Sequence, residues 1–250
     1  MASRKDFEQS LHTLLQPDTF KDYGPNGLQV EGVAEVHRIA SGVTASRAFI
    51  EQAIGWGADT LLVHHGLFWR GQDGRLTGWL AERVRLLMAA RVNLFAYHLP
   101  LDAHAELGNN AQLGLRLGLL ADSRFGDQAL GFIGPAVPGL TTVQSLADRV
   151  RQVLGRQPMV LTGDGRPLQR LAWCTGGAQG YFEAAMAAGA DAFITGEISE
   201  PQAHLARETG VAFVAAGHHA TERYGAPAVA AQLAAQWGLE HRFIDVDNPA

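Results

Sequence analysis

The chain has 250 residues, enough for one large domain or two modest ones, each with a full core. Its 47% hydrophobic and 18% charged content is ordinary for a globular protein, and a formal net charge of −5 counts against a nucleic-acid binder, whose domain carries a basic face. No stretch approaches the roughly 18 to 20 consecutive apolar residues of a membrane span, residues 1–15 lack a signal-peptide core, and a lone Cys174 excludes a disulfide framework and a thiolate zinc cluster. The expected setting is the cytoplasm, with Cys174 a small buried hydrophobe. Any metal must be bound by histidine and carboxylate, and 10 histidines are available.

In chain order, residues 22–32 come first. Gly24, Pro25 and Gly27 read as turn residues without the spacing of a phosphate-binding loop, so this block is expected to shape a cavity. Arg38-Ile39-Ala40 then opens an apolar run, residues 48–56 carry a helical period, and Gly57-Ala58-Asp59 leads into Leu61-Leu62-Val63. A third apolar strand is expected over 92–96. Residues 125–137, rich in Gly and Pro, read as a connection plus edge strand, and 141–154 as a helix.

A shift of 132 residues, Arg38 to Arg170, then brings the first pattern back without a gap. Arg170-Leu171-Ala172 opens it, residues 181–188 form the helix, and Gly189-Ala190-Asp191 leads into Phe193-Ile194-Thr195. The strand over 211–216 is the counterpart of 92–96. Each copy reads as a right-handed βαβ unit with parallel strands. Unrelated βαβ units share such features, but a matching Gly-Ala-Asp in an ungapped frame favours true duplication. The expected fold is α/β, with two structurally related halves, residues 1–125 and 126–250. A final strand over 242–246 is placed so that it can return to the first half's sheet.

Ligands of parallel α/β sheets sit outside the carboxyl ends of the strands. Those ends carry His64 and His65, then His98 and Asp102, then Gly196 and Glu197, then His218, His219 and Glu222. Neighbouring residues on a regular strand point to opposite faces, so an isolated His-His pair is more often one packed and one solvated ring. Here Gly66 follows directly and permits a sharp turn that lets both rings reach adjacent ions. His218 and Glu222 are four apart and share a helix face, which alone fits an ordinary surface contact equally well. Asp102 alone would fit a helix cap. Taken together, the residues suggest a dimetal site between the halves, with one carboxylate bridging two ions about 3.5 to 4 Å apart. A mixed nitrogen and oxygen donor set suits Zn, Mn or Fe.

Five blocks occur in order: Asp22-Tyr23-Gly24-Pro25-Asn26-Gly27-Leu28-Gln29-Val30-Glu31-Gly32, Val63-His64-His65-Gly66, Tyr97-His98-Leu99-Pro100-Leu101-Asp102-Ala103-His104, Thr195-Gly196-Glu197, and Gly217-His218-His219-Ala220-Thr221-Glu222-Arg223. Over essentially its whole length the chain resembles the GTP cyclohydrolase 1 type 2 homologues, also called the Nif-three-like family, in their short bacterial form. That resemblance implies a two-metal site, a duplicated α/β fold and a homohexameric ring. By matched position it puts His64 and His218 on one divalent ion, His65 and Asp102 on the other, and Glu222 across both. It leaves His98 and Glu197 as residues that support the ligands or meet substrate, and His104 in a further motif. It also implies a metal-dependent hydrolase for a small, nucleotide-like molecule; the alternative is a non-enzymatic metal-binding scaffold acting through protein partners. Processing of nucleic acid by two metals is a third reading, disfavoured by the acidic balance.

Overall fold

The computed structural model describes residues 2–250, and the chain divides into two compact units. Unit 1 takes the chain up to Gly108 together with Gly225–Asp247, and unit 2 takes Asn109–Tyr224 together with Asn248–Ala250.

The chain enters unit 1 with β1 (Ala2–Ser3), then helix α1 (Arg4–Leu15), whose start is capped by Ser3 accepting from the Asp6 N–H. Then follow β2 (Gly27–Val30), β3 (Glu35–Val36), β4 (Arg38–Thr44), α2 (Arg47–Trp56), β5 (Thr60–His65), α3 (Gly78–Ala90), β6 (Asn93–Ala96) and the short α4 (Leu99–Ala103). Unit 2 runs α5 (Asn109–Leu117), β7 (Ser123–Phe125), β8 (Gly131–Pro135), α6 (Val143–Leu154), β9 (Met159–Leu161), β10 (Arg170–Trp173), α7 (Phe182–Ala187), β11 (Ala192–Thr195), α8 (Glu200–Thr209), β12 (Ala212–Ala215) and α9 (His218–Glu222). The chain returns to unit 1 for α10 (Gly225–Trp237) and β13 (Glu240–Phe243).

Unit 1's main sheet has the order β13-β4-β5-β6-β2, parallel except for β2. Both faces are covered, so its inner strands are largely apolar, whereas the edge strand β13 is mostly polar. Leu61, Val63 and Leu94 face Phe49 and Ile50 of α2 and Leu87 of α3, whereas Leu62 and Phe95 face Phe7 and Leu11 of α1 and Val229 and Leu233 of α10. Gly42 on β4 lets α2 come close, since a Cβ there would lie 2.4 Å from the Phe49 ring.

Unit 2's sheet has the order β7-β8-β10-β11-β12-β9, with β10, β11 and β12 parallel. The β4-β5-β6-β2 run of unit 1 thus has its counterpart in β10-β11-β12-β9, each closed by an antiparallel strand that comes earlier in the chain. The repeated Gly-Ala-Asp works structurally. One Asp59 oxygen accepts from the His37 and Arg38 N–H groups at 2.9 and 3.1 Å, and one Asp191 oxygen accepts from Gln169 and Arg170 at 2.8 and 3.0 Å. In both units the aspartate ties the second strand's entry to the start of the first.

Three details differ from the sequence reading. The units divide at 108–109 and 224–225, where the sequence suggests one boundary near 126: Leu113 and Leu117 of α5 bury in unit 2's core, and α10 buries in unit 1's. Within 125–137, β8 is an inner strand paired with both β7 and β10, and the edge is β7. The last strand pairs with Arg38–Ser41 over Glu240–Phe243 rather than 242–246; apolar Ile244 and Val246 drew the sequence reading onward, but they pack against the core beyond the strand. Among the described residues no helix is long and apolar enough to cross a membrane.

Candidate metal centre

In unit 1, β5 ends on His64 and His65, yet their ring centroids are only 4.5 Å apart. His64 is fully buried, with Nδ1 3.0 Å from the Tyr97 carbonyl oxygen and Nε2 3.5 Å from Asp102 Oδ1. His65 Nδ1 lies 3.1 Å from Thr44 Oγ1, at the end of the neighbouring strand. His98, the residue before α4, has its ring centroid 4.9 Å from that of His64 and 5.7 Å from that of His65. The three histidines each offer a nitrogen within 4.8 Å of the others.

The orientation of these rings follows from what each Nδ1 meets. A carbonyl oxygen only accepts, so His64 carries its proton on Nδ1 and keeps a lone pair on Nε2. His98 Nδ1 likewise donates to an oxygen, Asp22 Oδ1, at 2.7 Å. Asp22 also accepts from the N–H of Tyr23 at 2.6 Å, from the N–H of Leu99 at 2.9 Å and from Asn26 Nδ2 at 2.9 Å. Burial pushes the Asp22 pKa up, but its bond and charge interaction with His98, with help from Asn26 and Tyr23, bring it down to about 2. Asn26 Oδ1 accepts from the His98 N–H at 2.8 Å, so residues 22 and 26 together clamp the turn into α4, which carries Asp102.

In unit 2, α9 follows β12 and places His218 Nε2 3.3 Å from Glu222 Oε2 one turn on. His218 Nδ1 donates to Glu197 Oε1 at 2.6 Å, which leaves Nε2 directed at Glu222. Burial pulls the His218 pKa down, but Glu222 and Glu197 outweigh it and hold it at about 9. The same negative charge would attract a metal cation, which must displace the proton to bind Nε2. Glu222 is 2% exposed and sits against the loop after β10. There Gly176, at φ +69°, is the residue the geometry requires: a Cβ would lie 1.9 Å from Glu222 Oε1 and 3.2 Å from His218 Nε2. Backbone bonds lock the three strand-end loops together, Gly196 N–H to Gly176 O at 2.8 Å and Gly217 N–H to Gly196 O at 2.9 Å.

Residues 2–249 match the family described as Duf34/NIF3 (NGG1p interacting factor 3). The chain belongs to this family. Among its relatives, a GTP cyclohydrolase 1 type 2 homolog of Neisseria meningitidis is 50% identical over 250 residues, covering 100% of both chains. The homolog of the same description in Escherichia coli K12 is 46% identical, covering 98% of each. The solved structure of protein ybgI, described as of unknown function, matches with a TM-score of 0.94 at 44% identity over 100% of both chains. TTHA1606 from Thermus thermophilus matches with a TM-score of 0.90 at 35% identity, again over 100% of both.

Within unit 1 of this Duf34/NIF3 protein the structure brings together His64, His65, His98 and Asp102; within unit 2 it brings together His218, Glu222 and Glu197. Of these, His64, Asp102 and Glu222 are buried and the others part-buried, and such a set of imidazole and carboxylate groups can bind a metal. Asp102 Oδ1 lies 3.5 Å from His64 Nε2, while His65 Nδ1 meets Thr44 Oγ1. His104 is turned away from chemistry, its Nδ1 accepting from the Glu106 and Leu107 N–H groups in the turn after α4. Cys174 is buried at the end of β10. The sequence reading missed Asp22, Asn26, Thr44 and Gly176. Asp22 lay in view within a motif assigned to cavity shape, and its acidity was the available signal.

Proposed function

We propose that His64, His65, Asp102, His218 and Glu222 together hold two divalent ions, Zn, Mn or Fe, and that the chain is a metal-dependent hydrolase of nucleotide-like substrates. The observation that carries this is shared by both units: imidazoles with Nδ1 committed to an oxygen acceptor and Nε2 beside a buried carboxylate. Ligand histidines in metalloproteins are oriented in this way. Such ions supply an acidified water and stabilise charge developing on the attacked group. The residues do the rest. Tyr97 O, Thr44 and Glu197 hold His64, His65 and His218 in place, Asp102 and Glu222 supply the balancing charge, and Gly176 keeps the space before Glu222 open. The name GTP cyclohydrolase 1 type 2 homolog, carried by relatives of full length, points to GTP as the first substrate to try.

The test is a metal analysis followed by hydrolysis of a nucleotide panel with Mn, Zn or Fe. Turnover lost in His64→Ala and Glu222→Ala, with circular dichroism unchanged, supports the enzyme. No turnover with any metal favours a second reading, a metal-binding scaffold acting through protein partners, which the words "interacting factor" in the family description support. Either reading includes assembly into a homohexameric ring, for which light scattering should give six times the 26.8 kDa chain mass.

A further inference from the structure

The connection after the metal-bearing strand differs between the units. In unit 2 only residues 196–199 separate β11 from α8; in unit 1 residues 66–77 separate β5 from α3. The longer connection folds back on residues 22–24. The Arg70 N–H donates to Tyr23 O at 2.6 Å, the Arg70 guanidinium donates to Asp22 O at 2.5 Å, and Gly24 leaves room for Phe68 and Trp69, a Cβ there falling 2.5 Å from Phe68 O. The outcome is that two aromatic rings stand beside His98. The Trp69 centroid lies 5.1 Å away with the rings at 89°, and the Tyr23 centroid 5.9 Å away at 67°. Trp69 is also 5.8 Å from His65.

Packing does not account for Tyr23, which is 62% exposed and gains little from burial. It is nevertheless held firmly, since its own N–H bonds the Asp22 carboxylate that orients His98. One side chain thus fixes both the backbone that carries an exposed aromatic ring and an imidazole of the cluster.

We infer that Tyr23 and Trp69 form a stacking edge that receives a planar heteroaromatic ring, such as a nucleobase, beside the imidazoles of unit 1. Every base has a π face, so the edge selects for the ring over the sugar or phosphate and discriminates little between bases. It rests on the metal-site reading for what the ring is brought to, but not for binding itself.

Equilibrium dialysis of the full chain, as purified and after chelation, against guanosine, adenosine and ribose 5-phosphate tests it. Both nucleosides should bind and ribose 5-phosphate should not. Tyr23→Ala and Trp69→Ala should each weaken nucleoside binding roughly tenfold, while Tyr23→Phe and Trp69→Phe retain it and all four variants keep wild-type metal content and circular dichroism. Absence of nucleoside binding, equal binding in the alanine variants, or equal binding of ribose 5-phosphate would overturn the inference. Nucleoside binding that depends on the two rings in a protein without turnover would sink the hydrolase reading and leave the stacking edge standing.

Discussion

The two units place their polar groups at the same strand ends but furnish them differently. Unit 1 offers three imidazoles with two carboxylates, Asp102 beside His64 and Asp22 beside His98, whereas unit 2 sets a single imidazole, His218, between two carboxylates, Glu197 and Glu222. In the frame that aligns Arg38 with Arg170, His65 falls opposite Glu197. Shared topology supplies positions, and substitution at those positions supplies chemistry. Unit 1 gives nitrogen donors directed by what their Nδ1 atoms meet; unit 2 concentrates negative charge, enough to hold His218 at about 9.

The comparison breaks most visibly at Glu222. Glu222→Ala should weaken metal binding more than about 100-fold, read by titration with Mn or Zn against a chromophoric chelator; unchanged affinity would mean unit 2's charge is not used for metal. Gly176→Ala comes next, because the new Cβ meets the Glu222 carboxylate at 1.9 Å on a backbone at φ +69°. It should cost about 3 kcal/mol in urea unfolding and reduce metal content, while the same change at Gly180, where a Cβ meets nothing within 4 Å, should do neither.

Asp22 sharpens the unit 1 side. Its pKa lies below the ordinary 3.8, at about 2 in the folded chain, so its stabilisation is complete above pH 3.8 and is lost as pH falls through 2. Asp22→Asn should remove about 2 kcal/mol at neutral pH and flatten the stability curve between those limits. An acid-unfolding profile identical to wild type would contradict this. The smallest effect is expected at Glu197→Gln, which keeps an acceptor for His218 Nδ1 but removes charge. Metal affinity should fall about tenfold, and the His218 titration in metal-free protein, followed by NMR, should move down from about 9.

Much of this was readable from the residues. The apolar runs ending in His64-His65 and in His-x-x-x-carboxylate mark strand ends, and the Gly-Ala-Asp repeat marks two related βαβ units, because both signals are local. What stayed hidden depends on groups far apart in the chain. Asp22 and His98 are separated by 76 positions, and Gly176 owes its necessity to Glu222, 46 positions later. Side-chain detail was only half in reach: Gly66 let the sequence override strand alternation and bring the His64 and His65 rings to one place, but not the partners Tyr97 O and Thr44 Oγ1 that orient each ring. The division at 108–109 escaped because α5 looks like any amphipathic helix until the core it buries in is known.

The most direct measurement is the metal stoichiometry of the purified full chain after loading with Zn, Mn or Fe, by inductively coupled plasma mass spectrometry. Two ions per chain in wild type, with fewer in His64→Ala and in Glu222→Ala, is the result expected if both donor sets are ligands. Metal-free protein under every loading condition, or a stoichiometry unmoved by either substitution, would contradict it.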